Sequence, residues 1–284
     1  MEEYSVLMSV YYKDSPDYLR ESIESMLTQT VLCNQFVLIK DGPLNSQLDL
    51  VICEFEKKYP SIFTVVSLSR NVGLGRALDR GILECKNELI ARMDADDISL
   101  PNRCEKLLAL FEENPQLSIA GTNIDEFYDS PDTIISSRVV PCSYDEICRF
   151  MKRRSPFNHP TVMFKKSDVI KCGGYGTMRR KQDLDLFARM INNNCYALNI
   201  NESLLKFRSS EDNYKRRKSW EYCRSYIEVE AENYRRGYCS IVDLLVVSVG
   251  QLFLFCAPKF VMKFVSDRLL RKRKMFSAHR SGKK

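Results

Sequence analysis

Arg92-Met93-Asp94-Ala95-Asp96-Asp97 follows a strand-like run, Asn87-Glu88-Leu89-Ile90-Ala91, and precedes a helix start at Leu100-Pro101. It places three carboxylates in four positions at a strand end. Like charges this close raise one another's pKa unless a cation lies between them. A hard divalent ion is the simplest compensation, and Mg²⁺ or Mn²⁺ sites commonly combine one or two carboxylates with substrate phosphates. Strand alternation sends Asp94 and Asp96 to one side and Asp97 to the other. On that reading Asp94 and Asp96 face a metal–diphosphate, and Asp97 caps the next helix. The alternative is a plain acidic loop at a helix N-terminus.

Upstream, Ser5–Tyr12 is apolar enough for a buried strand. Asp14 or Ser15 then caps a helix with Pro16 in its first turn and Leu19, Ile23 and Leu27 on its apolar face. Phe36–Ile39 is a second strand, ending in Lys40-Asp41-Gly42-Pro43. A carboxylate at the C-terminal end of a strand lies where open α/β sheets bind ligands, although Asp-Gly is also an ordinary turn. A helix over 46–58 and a strand at Phe63–Leu68 lead to Arg70-Asn71-Val72-Gly73-Leu74-Gly75-Arg76-Ala77-Leu78. Here glycines permit close backbone approach, and the helix start, with Arg70, offers donors to phosphate. The βαβαβαβ order of the first hundred residues predicts a mostly parallel sheet with right-handed crossovers.

After a Pro101–Asn114 helix the pattern changes to short β-like pieces at Leu117–Gly121, Ile124–Tyr128 and Thr133–Val139, then a helix near Tyr144–Met151. Lys152–Pro160 is a basic loop that either meets a substrate or is solvated. Thr161–Phe164 reads as a strand and Gly173-Gly174-Tyr175-Gly176 as a flexible break. Gln182-Asp183-Leu184-Asp185-Leu186 opens a helix whose dipole favours a carboxylate in its first turn. A strand pair near Cys195–Ile200 and Leu204–Phe207, the charged stretch Arg208–Lys218 and a helix over about 219–236 come next. Ile241–Ala257 is apolar apart from Asp243 and Gln251 and is short for a spanning helix, which needs about 20 apolar residues. Beyond Pro258, Phe260, Val261, Phe264 and Val265 alternate with Lys259, Lys263 and Arg268, and Arg271-Lys272-Arg273-Lys274 closes the run. That amphipathic, basic pattern fits lying on an anionic membrane rather than crossing it.

The 284 residues, 44% hydrophobic and 28% charged, suffice for one large α/β domain with an appendage. The net charge of +6 is uneven: residues 207–284 hold 18 Lys/Arg against 8 Asp/Glu, and the rest 25 against 29. A basic tail on a mildly acidic body points to a polyanionic surface. Its interleaved residues are aliphatic and Phe at helical spacing, which argues for membrane and against nucleic acid. Eleven cysteines without a Cys-x-x-Cys, and two histidines, argue against zinc and for free thiols in a reducing cytoplasm. The acidic Met1-Glu2-Glu3-Tyr4 start is not a secretory signal.

Together, Ser5–Tyr11, Asp41-Gly42, Asn71-x-Gly-Leu-Gly-x-Ala-Leu, Met93–Asp97, His159–Phe164, Gly173-Gly174-Tyr175 and Gln182–Leu186 resemble the family 2 inverting glycosyltransferases over roughly residues 4–210. The subgroup most similar builds bacterial O-antigen, capsule or exopolysaccharide units. The resemblance implies a GT-A fold (Rossmann-like, mostly parallel, helices on both faces) over 1–210, a helical connector over 211–240 and a membrane-interfacial tail over 241–284. It implies a UDP-sugar donor, galactose or glucose, a polyprenyl-diphosphate-linked sugar acceptor, Mn²⁺ or Mg²⁺, and work at the cytoplasmic face of the bacterial inner membrane. By position, Asp41 accepts the uracil N3–H beside Val10 and Tyr12, Arg70 lies near the nucleotide, Asp94 touches ribose or metal, and Asp96 holds the metal. Asp183 is the implied general base, with His159 and Gln182 on the acceptor side. Lys40-Asp41 departs from the family's frequent Asp-Asp, Gln182-Asp183 from Glu-Asp, and Ser209–Asp212 lacks a histidine that many relatives carry. A sugar-nucleotide pyrophosphorylase would want a Gly-rich basic loop where Tyr11–Ser15 stands. A catalytically silent scaffold of a polysaccharide complex is the other rival, against which the retained Asp96 and Asp183 argue.

Overall fold

The apolar first strand is central and packs on both sides. The computed structural model describes residues 2–178, 180–210 and 219–257. In β1 (Tyr4–Val10) and β2 (Gln35–Lys40), Val6, Met8, Val10, Phe36 and Leu38 enter one core, and Leu7, Val37 and Ile39 enter the other. This is the side-chain alternation of a strand covered on both faces.

The first core is closed by α1 (Pro16–Leu27), α2 (Ser46–Lys58) and α4 (Arg103–Glu113), through Leu19, Ile23, Ile52, Phe55 and Leu107. The second is closed by α3 (Leu74–Glu84), α5 (Tyr144–Met151), α6 (Lys166–Lys171), α7 (Gln182–Asn192) and α8 (Trp220–Arg235). Local chemistry starts these helices. Ser15 caps α1 ahead of Pro16, Asn45 accepts the Leu48 N–H at 2.9 Å, and Ser143 and Glu146 form a capping box on α5.

β3 (Phe63–Ser67), β2, β1 and β4 (Leu89–Met93) are parallel neighbours, as the βαβ pattern predicts. Beyond β4 the sheet changes character. Its order is β3-β2-β1-β4, then β8 (Met163–Lys165), β6 (Leu117–Phe127), β9 (Tyr196–Arg208) and β5 (Ile98–Ser99), with β7 (Ser136–Arg138) on β6. The pairings of β8 with β4 and β6, of β6 with β7, and of β9 with β5 are antiparallel. The sheet is therefore mixed rather than mostly parallel, because β5, β7 and β8 join its second half antiparallel to their neighbours.

Two apparent strand pairs are single strands. β6 runs unbroken over Leu117–Phe127, and β9 over Tyr196–Arg208. Their parallel register slips between Thr122 and Asn123, so polar Asn201 and Glu202 bulge out where the sequence reads as a turn. The last described helix, α9 (Ile241–Cys256), begins with a Ser240–Asp243 capping box. No helix among the described residues is long and apolar enough to cross a membrane. The basic run after Pro258 and Ser209–Asp212 beyond Ser210 lie outside the described residues. All eleven cysteines are free thiols.

Candidate active site

The C-terminal ends of β1, β2 and β4 meet at one edge, and the acidic stretch sits there. β4 ends at Met93 and the chain turns, so strand alternation does not govern Asp94 to Asp97. One oxygen each of Asp94, Asp96 and Asp97 comes within 4.8 Å of the others. Asp97 does not point away to cap a helix, as alternation predicts. Its Oδ1 accepts the Arg208 N–H at 2.9 Å, and α4 starts instead at Asn102. The Asp97 side chain is fully buried and its Oδ2 has no partner in the fold. Burial, then Asp96 and Asp94, push its carboxyl well above the usual range. Asp96 is exposed in the cleft, yet crowding by protein, and then Asp94, raise it to about 6. An orphaned buried oxygen within three converging carboxylates fits a hard divalent cation held by oxygen ligands. Asp14 adds to the field: desolvation, with smaller contributions from Asp96 and Asp94, pushes it to about 7. It does not cap α1 but accepts the Tyr11 N–H at 2.9 Å.

Buried cations brace this turn. Arg92 is 1% exposed and its Nη2 donates to Asp94 Oδ1, while Nε and Nη1 lack partners. Arg103, also buried, donates from Nη1 to the carbonyls of Arg92 (3.2 Å) and Pro160 (2.8 Å), tying β4 to the His159–Thr161 turn. Arg208 closes the cluster from the end of β9. Its Nε donates to the Asp96 carbonyl at 3.0 Å, its Nη2 to Glu21, and its guanidinium stacks 3.8 Å from the Tyr18 ring centroid. Sequence reasoning gave Arg208 no role. An arginine closing a β-strand is its one signal, and its hydrogen-bond partners here lie 111 to 187 residues earlier.

Asp41 ends β2 and is buried. Its two oxygens accept the Val72 and Gly73 N–H groups at 2.7 and 3.1 Å. Donors that the sequence reading assigned to phosphate are thus used to fix the loop before α3. Gly42, at φ +89°, touches that loop so closely that a Cβ would stand 2.6 Å from Asn71 N. Val10 is buried beside Asp41, whose N–H donates to the Val10 carbonyl, while Tyr12 and Arg70 are exposed at the same edge. Lys40, standing where a second carboxylate is frequent, pairs with Asp49 at 2.5 Å.

The opposite wall is the start of α7. Gln182 is buried and packs on Gly75 of α3, whose absent Cβ would lie 3.1 Å from Gln182 Cγ. Asp183 is half-buried in the first turn. Gly173–Gly176 is not a flexible break. Asp79 Oδ1 accepts the Tyr175 N–H at 2.7 Å, and Arg189 donates to the Cys172 and Gly174 carbonyls while paired with Asp185. This holds the buried Tyr175 hydroxyl 2.8 Å from His159 Nε2. Burial raises the Tyr175 hydroxyl far above its usual range, with Arg92 opposing and Asp183, Asp79 and Asp94 adding. Burial and then Arg92 hold His159 well below the usual imidazole value, so it is neutral at pH 7. The basic loop divides: its His159 end enters the site, and its Lys152–Arg154 end reaches α9 through an Arg153–Asp243 ion pair of 2.6 Å.

The family model for glycosyl transferase family 2 matches residues 5–187. The chain belongs to this family. The matched segment includes both the acidic turn and the α7 carboxylate. The chain is 34% identical over 272 residues to the Escherichia coli UDP-Gal:alpha-D-GlcNAc-diphosphoundecaprenol beta-1,3-galactosyltransferase, covering 95% of this chain and 97% of that protein. It is 33% identical to the Erwinia amylovora amylovoran biosynthesis glycosyltransferase AmsE, over 80% of this chain and 84% of that one. Among solved structures, the Pyrobaculum calidifontis mannosyltransferase PcManGT with GDP-Man and Mn²⁺ superposes with a TM-score of 0.65 at 12% identity, covering 90% and 70% of the two chains. Staphylococcus aureus TarS 1–349 with UDP gives 0.58 at 15%, covering 94% and 72%. The fold is thus GT-A-like α/β, and the chain is a family 2 glycosyltransferase.

Proposed function

We propose that this protein is a metal-dependent inverting glycosyltransferase. It moves a hexose, galactose before glucose, from a UDP-sugar to a sugar on polyprenyl diphosphate during bacterial surface polysaccharide synthesis. It works on an anionic membrane surface at the cytoplasmic face of the inner membrane. The observation that carries the reading is the Asp94–Asp96–Asp97 cluster with its orphaned Asp97 oxygen at the C-terminal end of β4. Its relative from E. coli, named for UDP-Gal and a GlcNAc-diphosphoundecaprenol acceptor, supports the donor and the acceptor class.

In this reading Asp96 and Asp94, with Asp97 behind them, hold Mn²⁺ or Mg²⁺ on the donor diphosphate. When bound, the cation supplies Lewis-acid neutralisation of charge on the departing UDP. Asp41 keeps the β2 end and the 71–73 loop in register, and its remaining lone pairs accept the uracil N3–H between Val10 and Tyr12. Arg70 sits at the nucleotide edge. Asp183 removes the proton from the acceptor hydroxyl as that oxygen attacks the anomeric carbon from the face opposite UDP. One displacement inverts the centre, so no covalent nucleophile is required. Neutral His159, fixed by Tyr175, and Gln182 orient the acceptor side.

The test is a pair of variants read in two ways. Asp96→Ala abolishes Mn²⁺-dependent UDP binding by calorimetry and turnover with it. Asp183→Asn retains UDP binding and loses turnover by about 10²- to 10⁴-fold. Normal turnover in either variant contradicts the assigned role.

A further inference from the structure

The surface joining α5 to α9 combines an apolar helix face with a basic cluster. Seven apolar side chains of α9 are exposed, among them Val242 (57%), Leu245 (56%), Val249 (64%) and Phe253 (57%), whereas Asp243 and Val247 are the buried contacts of the helix. Leu245, Val246, Val249, Gly250 and Phe253 line a shallow hollow of about 510 Å³. An exposed apolar face this continuous marks a site of interaction. Beside it, Pro141, Glu146, Arg149, Phe150, Arg153 and Arg154 line an open hollow of about 590 Å³, with Lys152 exposed next to it. Of the acidic groups here, Glu146 is engaged in the α5 capping box and Asp243 with Ser240 and Arg153, while Asp145 of α5 is exposed.

We infer that this composite surface docks on an anionic lipid bilayer, with the α9 face among the acyl chains and Arg149, Lys152 and Arg153 at the headgroup phosphates. The inference deepens the proposed function, on which it rests for the lipid-linked acceptor, by naming a second, basic half of the contact on α5. Three observations favour a bilayer. The exposed apolar side chains share one face of a helix not long and apolar enough to cross a membrane, the pattern of an interfacial helix. The cations are placed at the rim of the apolar face through the Arg153–Asp243 pair, which is the arrangement of a headgroup layer over acyl chains. A second copy docking through the same face would bring two basic clusters together, where like charges repel.

The experiment is vesicle co-sedimentation of the full chain. It uses phosphatidylcholine alone and phosphatidylcholine mixed with phosphatidylglycerol, at low and high salt. The wild-type chain binds the anionic vesicles and is partly released by salt. Arg149→Glu with Lys152→Glu weakens that binding by about 10-fold or more. Val249→Ser with Phe253→Ser weakens it at both salt concentrations. Both double variants keep turnover on a short-chain, water-soluble acceptor, which also shows that they fold. Unchanged vesicle binding in the charge-reversed variant overturns the inference. So does a wild-type chain that ignores vesicles and runs as a dimer that the Val249/Phe253 variant loses. Vesicle binding is read without turnover, so a failed glycosyltransferase assay leaves this result standing on its own.

Discussion

Arg92 is a charged side chain with almost no surface and one partnered nitrogen, Nη2 on Asp94. Leaving two buried N–H groups unpaired costs stability, which directs attention to the one contact the side chain makes, on Asp94. We assign it a positioning role: it fixes one Asp94 oxygen and leaves the other to the donor side. Removing one partner of a buried ion pair leaves the other charge uncompensated and costs stability, here beside three carboxylates. Arg92→Met is therefore expected to lower Tm and to lower kcat/KM by about 10²-fold. Arg92→Lys keeps the charge without the planar fork and recovers part of the loss. A collapse of Tm with normal turnover would mean that Arg92 is structural. Arg208 works at the same scale from the other side of the turn, where its backbone N–H and its guanidinium both hold the Asp96–Asp97 backbone and side chain.

Among elements, the joint between β2 and the loop before α3 is the least tolerant. Gly42 combines φ +89° with backbone 2.6 Å from its missing Cβ, so an added methyl group can be relieved neither by rotation nor by a moving side chain. Gly42→Ala is expected to lower unfolding free energy by about 1–3 kcal/mol in a urea titration. Gly81→Ala tests the contrast, because its Cβ meets the ends of the Leu7 and Ile39 side chains rather than backbone. On α8, Glu230 is buried with an unpartnered Oε1, and desolvation raises its carboxyl from 4.5 to about 7. The folded chain then holds this proton more tightly than the unfolded chain. Its contribution to stability is full below about pH 4.5 and is lost as pH rises through about 7. Glu230→Gln should flatten the fall in Tm between these two pH values. An unchanged slope would show that Glu230 is ionised in the folded state.

At the scale of the whole molecule, the first hundred residues were legible because their information is local. Apolar runs, caps and βαβ spacing place β1 to β4 and their helices, and the acidic turn follows from them. The second half was less legible because its partners are remote. Asn201 and Glu202 look like a turn, and only β6, about 80 residues earlier, keeps them inside one bulged strand. Gly173–Gly176 looks flexible because Asp79 and Arg189, which pin it, belong to other elements. The convergence of Asp97 with Asp94 was hidden by assuming that strand alternation continues past Met93. The motifs at Asp41, Asp96 and Asp183 were readable by residue type and order, while Arg92, Arg103, Arg208 and Tyr175, which position them, act through tertiary contacts with no local signature.

The central claim is transfer from a UDP-sugar to a lipid-linked sugar. We would incubate the purified full-length protein with Mn²⁺, a synthetic lipid-diphosphate GlcNAc acceptor and a panel of UDP-sugars, and measure UDP release with and without acceptor. The account predicts acceptor-dependent release with one donor, UDP-galactose first, and loss of that release when EDTA removes the cation. UDP binding without acceptor-dependent release from any donor in the panel would contradict it.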